Sequence, residues 1–274
     1  MSTRISYLDE MLPAFTGCTK LSPGCEHCYA ARWAATRLKH HPAYAGLAHK
    51  TADGYDWCET PRFHPELLEK LRHWRKGRRI GMVFTADWMH EAITYDQRCD
   101  MLDAMYDAPQ HQYFLLTKRA ADQRAFFECW TEDGKIPDNW WLGVTICNQP
   151  EADRDIPQLL RTASMGGRAW VSIEPMLGAV DFGEEPVGMG FGSWFSHDSR
   201  FGVNWVVLGG ESGPGARPMQ PEWALDVWRQ CKAAGVPFYF KQWGSAGQDR
   251  MIHADEMPEL QAMIHTREIP AVAR

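Results

Sequence analysis

The sequence predicts an α/β protein folded as a (β/α) barrel, full or partial, of about seven β-α units in a single domain. Three observations predict it. Short apolar runs recur along the chain without clean alternation, the pattern of strands buried on both faces. Segments of helical character fall between most of these runs. Successive runs begin roughly 30 residues apart, the length of one β-α unit, and parallel strands need such crossovers. A doubly wound open sheet is the alternative, because a single sequence does not show closure.

In chain order, a short strand is expected before a cysteine loop at residues 16–30, and a helix "YAARWAATRLKH" (29–40) after it. "HPELLEKLRHWRKG" (64–77) reads as a helix, with Pro65 near its start and Gly77 at its end. "RIGMVFTAD" (79–87) is the next strand. "TYDQRCDMLDAMYDAP" (94–109) follows as a helix with Thr94 as N-cap and Pro109 as stop. The strand "QYFLLTK" (112–118) precedes a helix at 119–130, whose stripe is Phe126, Phe127 and Trp130. Strands are then expected at "WWLGVTICN" (140–148), "AWVSIEP" (169–175), "NWVVLGGES" (204–212) and "PFYFKQW" (237–243). The helix at 221–235 opens on Pro221 and closes on Gly235. Residues 176–203 are glycine-rich with no helical period, and read as a lid or a surface excursion. The barrel is expected to span 1–244, with 245–274 as a tail packed on it or extending it.

Composition narrows the class. A chain of 274 residues with 45% hydrophobic content and 13 tryptophans can build a thick, aromatic core. The net charge of -6 gives no global pull toward nucleic acid. One local basic stretch, "RHWRKGRR" (72–79), reads either as the solvated end of a helix or as a nucleic-acid patch. No run of eighteen apolar residues exists, so no membrane is expected as partner. The N-terminus lacks the apolar core of a signal peptide, and the expected location is cytoplasmic, where thiols stay reduced.

In parallel β-α folds ligands bind at the carboxyl ends of the strands. Here those ends carry Asp87, then Lys118 and Arg119, then Asn148, Glu174, Gly209–Gly210–Glu211, and Lys241. Polar residues are expected wherever a strand leaves a core. That explains Glu174 and Lys241 poorly, since apolar or aromatic residues flank both. Paired glycines let a ligand approach the backbone closely, or make a tight turn.

"TGCTKLSPGCEHCYA" (16–30) gathers Cys18, Cys25 and Cys28 in a C-x6-C-x2-C pattern. A disulfide would leave one cysteine over, and a redox pair would leave Cys18 unexplained. Structural zinc wants four ligands, and His27, His40, His41 or Cys58 could supply the fourth. An iron–sulfur cubane held by three thiolates keeps one iron free for a small molecule, which accounts for stopping at three. Pro23 and Gly24 bend the chain so that the sulfurs can converge. Cluster and zinc both remain open from the residues alone.

The loop, the expected fold and the loop's place in it resemble the radical S-adenosylmethionine (SAM) superfamily, whose usual first gap is three residues where this chain has six. Together with "LLTKR", "WLGVTICNQ", "VSIEPMLGAVD", "VVLGGESGPGARPM" and "AAGVPFYFKQWG", it is similar to the phage-encoded three-Cys-motif protein family over about residues 16 to 244. That family usually has glutamate where this chain has Cys147. The resemblance implies a [4Fe–4S] cluster on Cys18, Cys25 and Cys28, with SAM on the free iron. Cleavage of SAM would then give a 5′-deoxyadenosyl radical that abstracts hydrogen. It implies His27 packed on the SAM adenine and Asp87 at its amino group. Asn148, Glu174 and Glu211, with Gly209 and Gly210, would line the ribose and carboxylate region. Lys118, Arg119 and Lys241 would meet an anionic substrate or the SAM carboxylate. A flavodoxin or ferredoxin as reductant, and a nucleic-acid base or nucleotide as substrate, are further expectations of the resemblance. A zinc-stabilised, non-catalytic nucleic-acid-binding protein and a non-radical iron–sulfur enzyme are the rival readings.

Overall fold

The computed structural model describes residues 5–58, 60–130, 135–183, 194–195, 201–246 and 258–270. The first strand, β1 (Glu10–Leu12), is followed by the short β2 (Phe15–Thr16), the cysteine loop and α1 (Tyr29–Ala35). Next come β3 (Ala48–Thr51), β4 (Gly54–Trp57), β5 (Arg62–Phe63) and α2 (Glu69–His73). A regular alternation follows: β6 (Arg79–Met82), α3 (Tyr95–Tyr106), β7 (Gln112–Thr117), α4 (Ala120–Trp130), β8 (Ile136–Ile146), α5 (Gln149–Ala163) and β9 (Gly166–Ile173). The described chain closes with β10 (Val203–Gly209), α6 (Pro221–Ala234), β11 (Phe238–Gln242) and α7 (Pro258–His265).

Seven of the strands form one parallel sheet in the order β1-β6-β7-β8-β9-β10-β11, which is chain order. A doubly wound sheet would reverse direction at a switch point, and this order never does. The edge strands β1 and β11 do not pair, so the sheet curls as an open half-barrel. Register is set strand by strand, with Ile80 beside Tyr113, Tyr113 beside Trp140 and Val206 beside Val171.

Period-two alternation divides the sheet into two faces. Tyr113, Leu115, Trp140, Leu142, Val171, Val206, Leu208 and Phe240 join the core under the helices. Their neighbours Phe114, Trp141, Trp170, Trp205 and Tyr239 form a separate aromatic layer on the other face, closed by Tyr7 and Leu8. Trp170 stacks on Trp205 with centroids 5.4 Å apart, and its indole N–H donates to the Leu115 and Trp141 carbonyls at 3.1 and 3.2 Å. A Cβ at Gly143 would stand 2.3 Å from that indole nitrogen, so only glycine admits the ring.

Several elements differ from the sequence expectation. The 64–77 helix is a single 3₁₀ turn at Pro65–Leu67 followed by the five-residue α2, because Trp74 turns extended (ψ 94) and leads the chain into β6. The helix after the cysteine loop ends at Ala35 rather than residue 40. Residues 48–57 form an unexpected antiparallel hairpin turning at Ala52–Asp53. Thr94 caps α3 as expected, in a reciprocal box with Gln97, and Gly235 ends α6 in the left-handed conformation (φ 68). Of the segment expected as a lid, 184–193 and 196–200 lie outside the described residues, as do 247–257 and 271–274 of the tail. The described tail packs on the exposed edge of β11: Phe240 N–H donates to the Thr266 carbonyl and Phe238 N–H to the Glu268 carboxylate.

The basic stretch sits at the amino end of β6, and three of its arginines are paired. Arg72 reaches Asp107 at 2.6 Å, Arg78 reaches Glu10 at 2.7 Å and Arg79 reaches Asp9 at 3.0 Å. Arg75 and Lys76, between these pairs in sequence, are exposed. No helix among the described residues is long and apolar enough to cross a membrane.

Candidate functional site

Toward the carboxyl ends of the strands the aromatic face turns polar. Lys118, Thr145, Cys147, Ser172, Glu174, Glu211 and Lys241 follow the aromatic layer at even spacing, so the pleat directs them to the same side. The cysteine loop lies across this end of the sheet. It enters through Gly17, whose φ of 92 suits glycine and which bridges to Ala86 just past β6. It makes a 3₁₀ turn at Pro23–Cys25 and leaves through Cys28, the N-cap position of α1. Cys18, Cys25 and Cys28 are half-buried free thiols.

Four anchors hold the loop to four strand ends. At β6 and β7, Asp87 is 6% exposed and accepts from the Thr117 hydroxyl (2.6 Å), the Lys118 N–H (3.0 Å) and the Arg119 guanidinium (2.9 Å). The same guanidinium donates to Thr19 of the loop at 3.1 Å and lies against the Cys18 sulfur. At β8, Gly24 rests on the buried Cys147: a Cβ at Gly24 would stand 2.3 Å from the Cys147 sulfur. At β10, Glu211 is 4% exposed and takes hydrogen bonds from the Arg217 N–H (2.8 Å), Nε (3.0 Å) and Nη2 (2.6 Å). His27 Nδ1 lies 2.9 Å from the same carboxylate, and Arg217 also reaches Glu26 (2.8 Å) and the Pro23 carbonyl (2.7 Å). Near β6, the Tyr29 hydroxyl donates to the Phe84 carbonyl at 2.7 Å. That carbonyl follows Val83, whose φ of 60 is a strained position for a β-branched residue.

Within the frame sits an ion pair, Lys241 on Glu174 at 2.8 Å, with the Ser172 hydroxyl 3.2 Å from the same carboxylate. Gly209 lies directly against this carboxylate, its Cβ position being 2.6 Å from a Glu174 oxygen. Lys118 is close enough to Cys25, Cys28, Cys147 and Asp87 for each to favour its charged form.

Twelve of the thirteen residues singled out from sequence therefore gather at one end of the sheet. Asn148 stands apart: it falls one residue out of the inward phase, and its side chain caps α5 by accepting the Glu151 N–H at 3.1 Å. Gly210 is close-packed by protein, its Cβ position being 2.0 Å from the Trp243 carbonyl. Both Glu211 oxygens already face protein donors, and Arg119 and Lys241 each have a carboxylate partner. Sequence reasoning missed Arg217 as the central clasp. Its signal was the glycine-rich "GESGPGARP", which lets the chain fold back so that Arg217 meets Glu211 six residues earlier.

The donor set suits a soft metal centre: three thiols, no disulfide, on one tight loop. Burial pushes the Cys18 thiol up to about 12, with Asp87 adding to the rise and Arg119 opposing it. Burial also raises Cys28, against the N–H groups of Ala31 and Ala30. Among the described residues, no three His, Cys, Asp or Glu side chains converge as a ready cage for a single metal ion. Three thiols on one loop are the donor type of an iron–sulfur cluster and also of zinc, so donor chemistry admits either group.

A family model described as "Protein of unknown function (DUF5131)" matches residues 2–267. No curated protein and no solved structure matches the chain.

Proposed function

The chain belongs to the DUF5131 family of unknown function, and we propose that it is an iron–sulfur enzyme of the radical SAM type, within the phage-encoded three-Cys-motif group and working in the host cytoplasm. The observation that carries this reading is the three-thiol loop spanning the carboxyl end of a parallel half-barrel, clasped by Arg119, Cys147 and Arg217. A [4Fe–4S] cluster bound by Cys18, Cys25 and Cys28 would supply an open iron for SAM and the electron that cleaves it to a 5′-deoxyadenosyl radical.

The chain's own groups would do the rest. Arg119, fixed on Asp87, places a positive charge against the Cys18 sulfur and favours its thiolate. Arg217 and Glu211 fix the loop segment that carries His27, so that its ring edge is oriented and its Nδ1 engaged. The Glu174–Lys241 pair offers a carboxylate oxygen and an ammonium to the polar groups of SAM or of a substrate. The aromatic layer below, filled by Trp141, Trp170 and Trp205, excludes water from the floor of the site. A nucleic-acid base or nucleotide is the substrate class of this reading, and a flavodoxin or ferredoxin its reductant.

The test is direct. Anaerobically reconstituted protein, given dithionite and SAM, is expected to release 5′-deoxyadenosine, and Cys28→Ala to release none. A cluster-loaded protein that leaves SAM intact would turn the reading toward a non-radical iron–sulfur enzyme.

A further inference from the structure

Residues 27–52 carry four cations, Arg32, Arg37, Lys39 and Lys50, and no carboxylate, in a chain whose net charge is -6. The segment takes in the last cysteine of the loop, α1, the turn after it and β3. Leu38, flanked by Arg37 and Lys39, and Ala48, at the start of β3, pack on the same buried trio of Ala34, Ala43 and Tyr44. The cations therefore belong to one small unit. Thr16, buried at the entry to the cysteine loop, ties that unit down by donating to the Ala43 carbonyl at 2.6 Å. The Tyr44 hydroxyl lies 2.8 Å from that of Thr85, just past β6. Arg37, Lys39 and Lys50 are exposed, and Arg32 is half-buried. Among the described residues none of the four has an ion-pair partner. Of the bordering carboxylates, Glu26 is held by Arg217 at 2.8 Å and Asp56 by Lys20 at 3.4 Å, while Asp53 stands exposed at the hairpin turn. Arg32 brings the charge to the rim of the site. Its N–H meets the Cys28 carbonyl at 3.1 Å, and its guanidinium lies 3.1 Å from where a Cβ of Gly213, past the end of β10, would stand. Tyr29 adjoins Cys28: its hydroxyl is fixed on the Phe84 carbonyl at 2.7 Å, yet the residue is 37% exposed.

We propose that this unit binds a single-stranded nucleic acid, with Arg32, Arg37, Lys39 and Lys50 on its phosphates and Tyr29 under the base that enters the site. The proposal rests on the nucleic-acid substrate class of the iron–sulfur reading and narrows it from a free nucleotide to a polynucleotide. Unpaired surface cations neutralise phosphates and release counterions whatever the sequence. A fixed aromatic ring stacks on any base, because every base has a π-face. An acidic protein surface would also meet the charges, but it offers no planar base to a ring held beside the thiols.

The experiment uses the full chain and a fluorescein-labelled, mixed-sequence single strand, read by fluorescence anisotropy across a salt series. Wild type is expected to bind with a Kd that rises with salt. The variant combining Arg37→Gln, Lys39→Gln and Lys50→Gln is expected to bind about a hundredfold more weakly at about 0.1 M salt, with the salt slope lowered by about 2, at about 0.7 per phosphate. Arg75→Gln with Lys76→Gln, at the amino end of β6, is expected to bind as wild type. Tyr29→Leu is expected to weaken binding about tenfold at an unchanged salt slope, and Tyr29→Phe to stay near wild type. Wild type that does not bind the strand overturns the proposal. So does a triple variant or a Tyr29→Leu that binds as wild type, or a loss confined to the Arg75 and Lys76 variant. Polyglutamate that binds as tightly as the strand overturns it in favour of an acidic protein partner. Wild type that binds the strand yet releases no 5′-deoxyadenosine supports the surface and fails the radical reading, so the two failures are distinct.

Discussion

Arg217 holds the buried carboxylate of Glu211 through three nitrogens and, with a fourth, grips Glu26 of the cysteine loop, 191 residues away in sequence. One guanidinium thus fastens the end of β10 to the segment that carries three clustered thiols. Removing one partner of a buried pair leaves the other charge uncompensated. Arg217→Ala is expected to destabilise the protein by about 3 kcal/mol, read by urea denaturation. Arg217→Ala with Glu211→Gln is expected to recover part of that loss, because no bare carboxylate remains.

The same pair predicts a pH dependence. Burial alone would raise the Glu211 carboxyl, but Arg217 and then His27 outweigh it and hold the group below its ordinary value. A depressed carboxyl contributes stability above its unfolded value and loses it as pH falls through the folded one. Thermal melting followed from pH 6 down to pH 3 is therefore expected to show a drop in wild type below about pH 4.5. In Glu211→Gln that part of the slope is expected to be missing.

Contact between Gly24 and Cys147 makes a paired prediction. Alanine at Gly24 would drive a methyl into the Cys147 sulfur. Gly24→Ala is expected to cost about 1–3 kcal/mol, the range for overpacking, and to lower metal uptake by displacing Cys25. Cys147→Ala in the same chain opens the space, and denaturation and iron content are expected to recover together. If Gly24→Ala alone behaves as wild type, the loop does not seat on β8.

Beneath the site, Gly143→Ala would press on both the Trp170 indole and the Leu115 carbonyl. The backbone atom cannot yield, so the loss is expected to exceed that of Gly24→Ala, in the upper part of the overpacking range of about 1–3 kcal/mol or beyond. Trp170→Phe in the same background is expected to relieve only part of it. Near-ultraviolet circular dichroism follows the stacked Trp170–Trp205 pair directly.

Much of this architecture was legible in the sequence. Strands such as 112–118 and 204–209 are continuous apolar runs because both faces of the sheet are covered, one by helices and one by the aromatic layer. Thr94 and Gly235 announced their helix ends through local hydrogen-bonding and backbone chemistry. The 64–77 segment misled because its helical composition loses to the extended turn at Trp74 that β6 demands. Position at a strand end identified Asp87, Glu174, Lys118 and Lys241, but not their partners. Arg119 on Asp87 and Arg217 on Glu26 are long-range pairings that only the folded chain brings together. Asn148 shows the limit of that rule: one residue out of phase, a polar strand end becomes a helix cap.

The most direct measurement is the iron and acid-labile sulfide content of the full chain after anaerobic purification, beside Cys18→Ala, Cys25→Ala and Cys28→Ala. A brown protein with about four iron and four sulfide per chain, lost in each single variant while the half-barrel stays folded, is the expected result. A colourless protein holding one equivalent of zinc and no sulfide, or one whose iron persists without any of the three thiols, would contradict it.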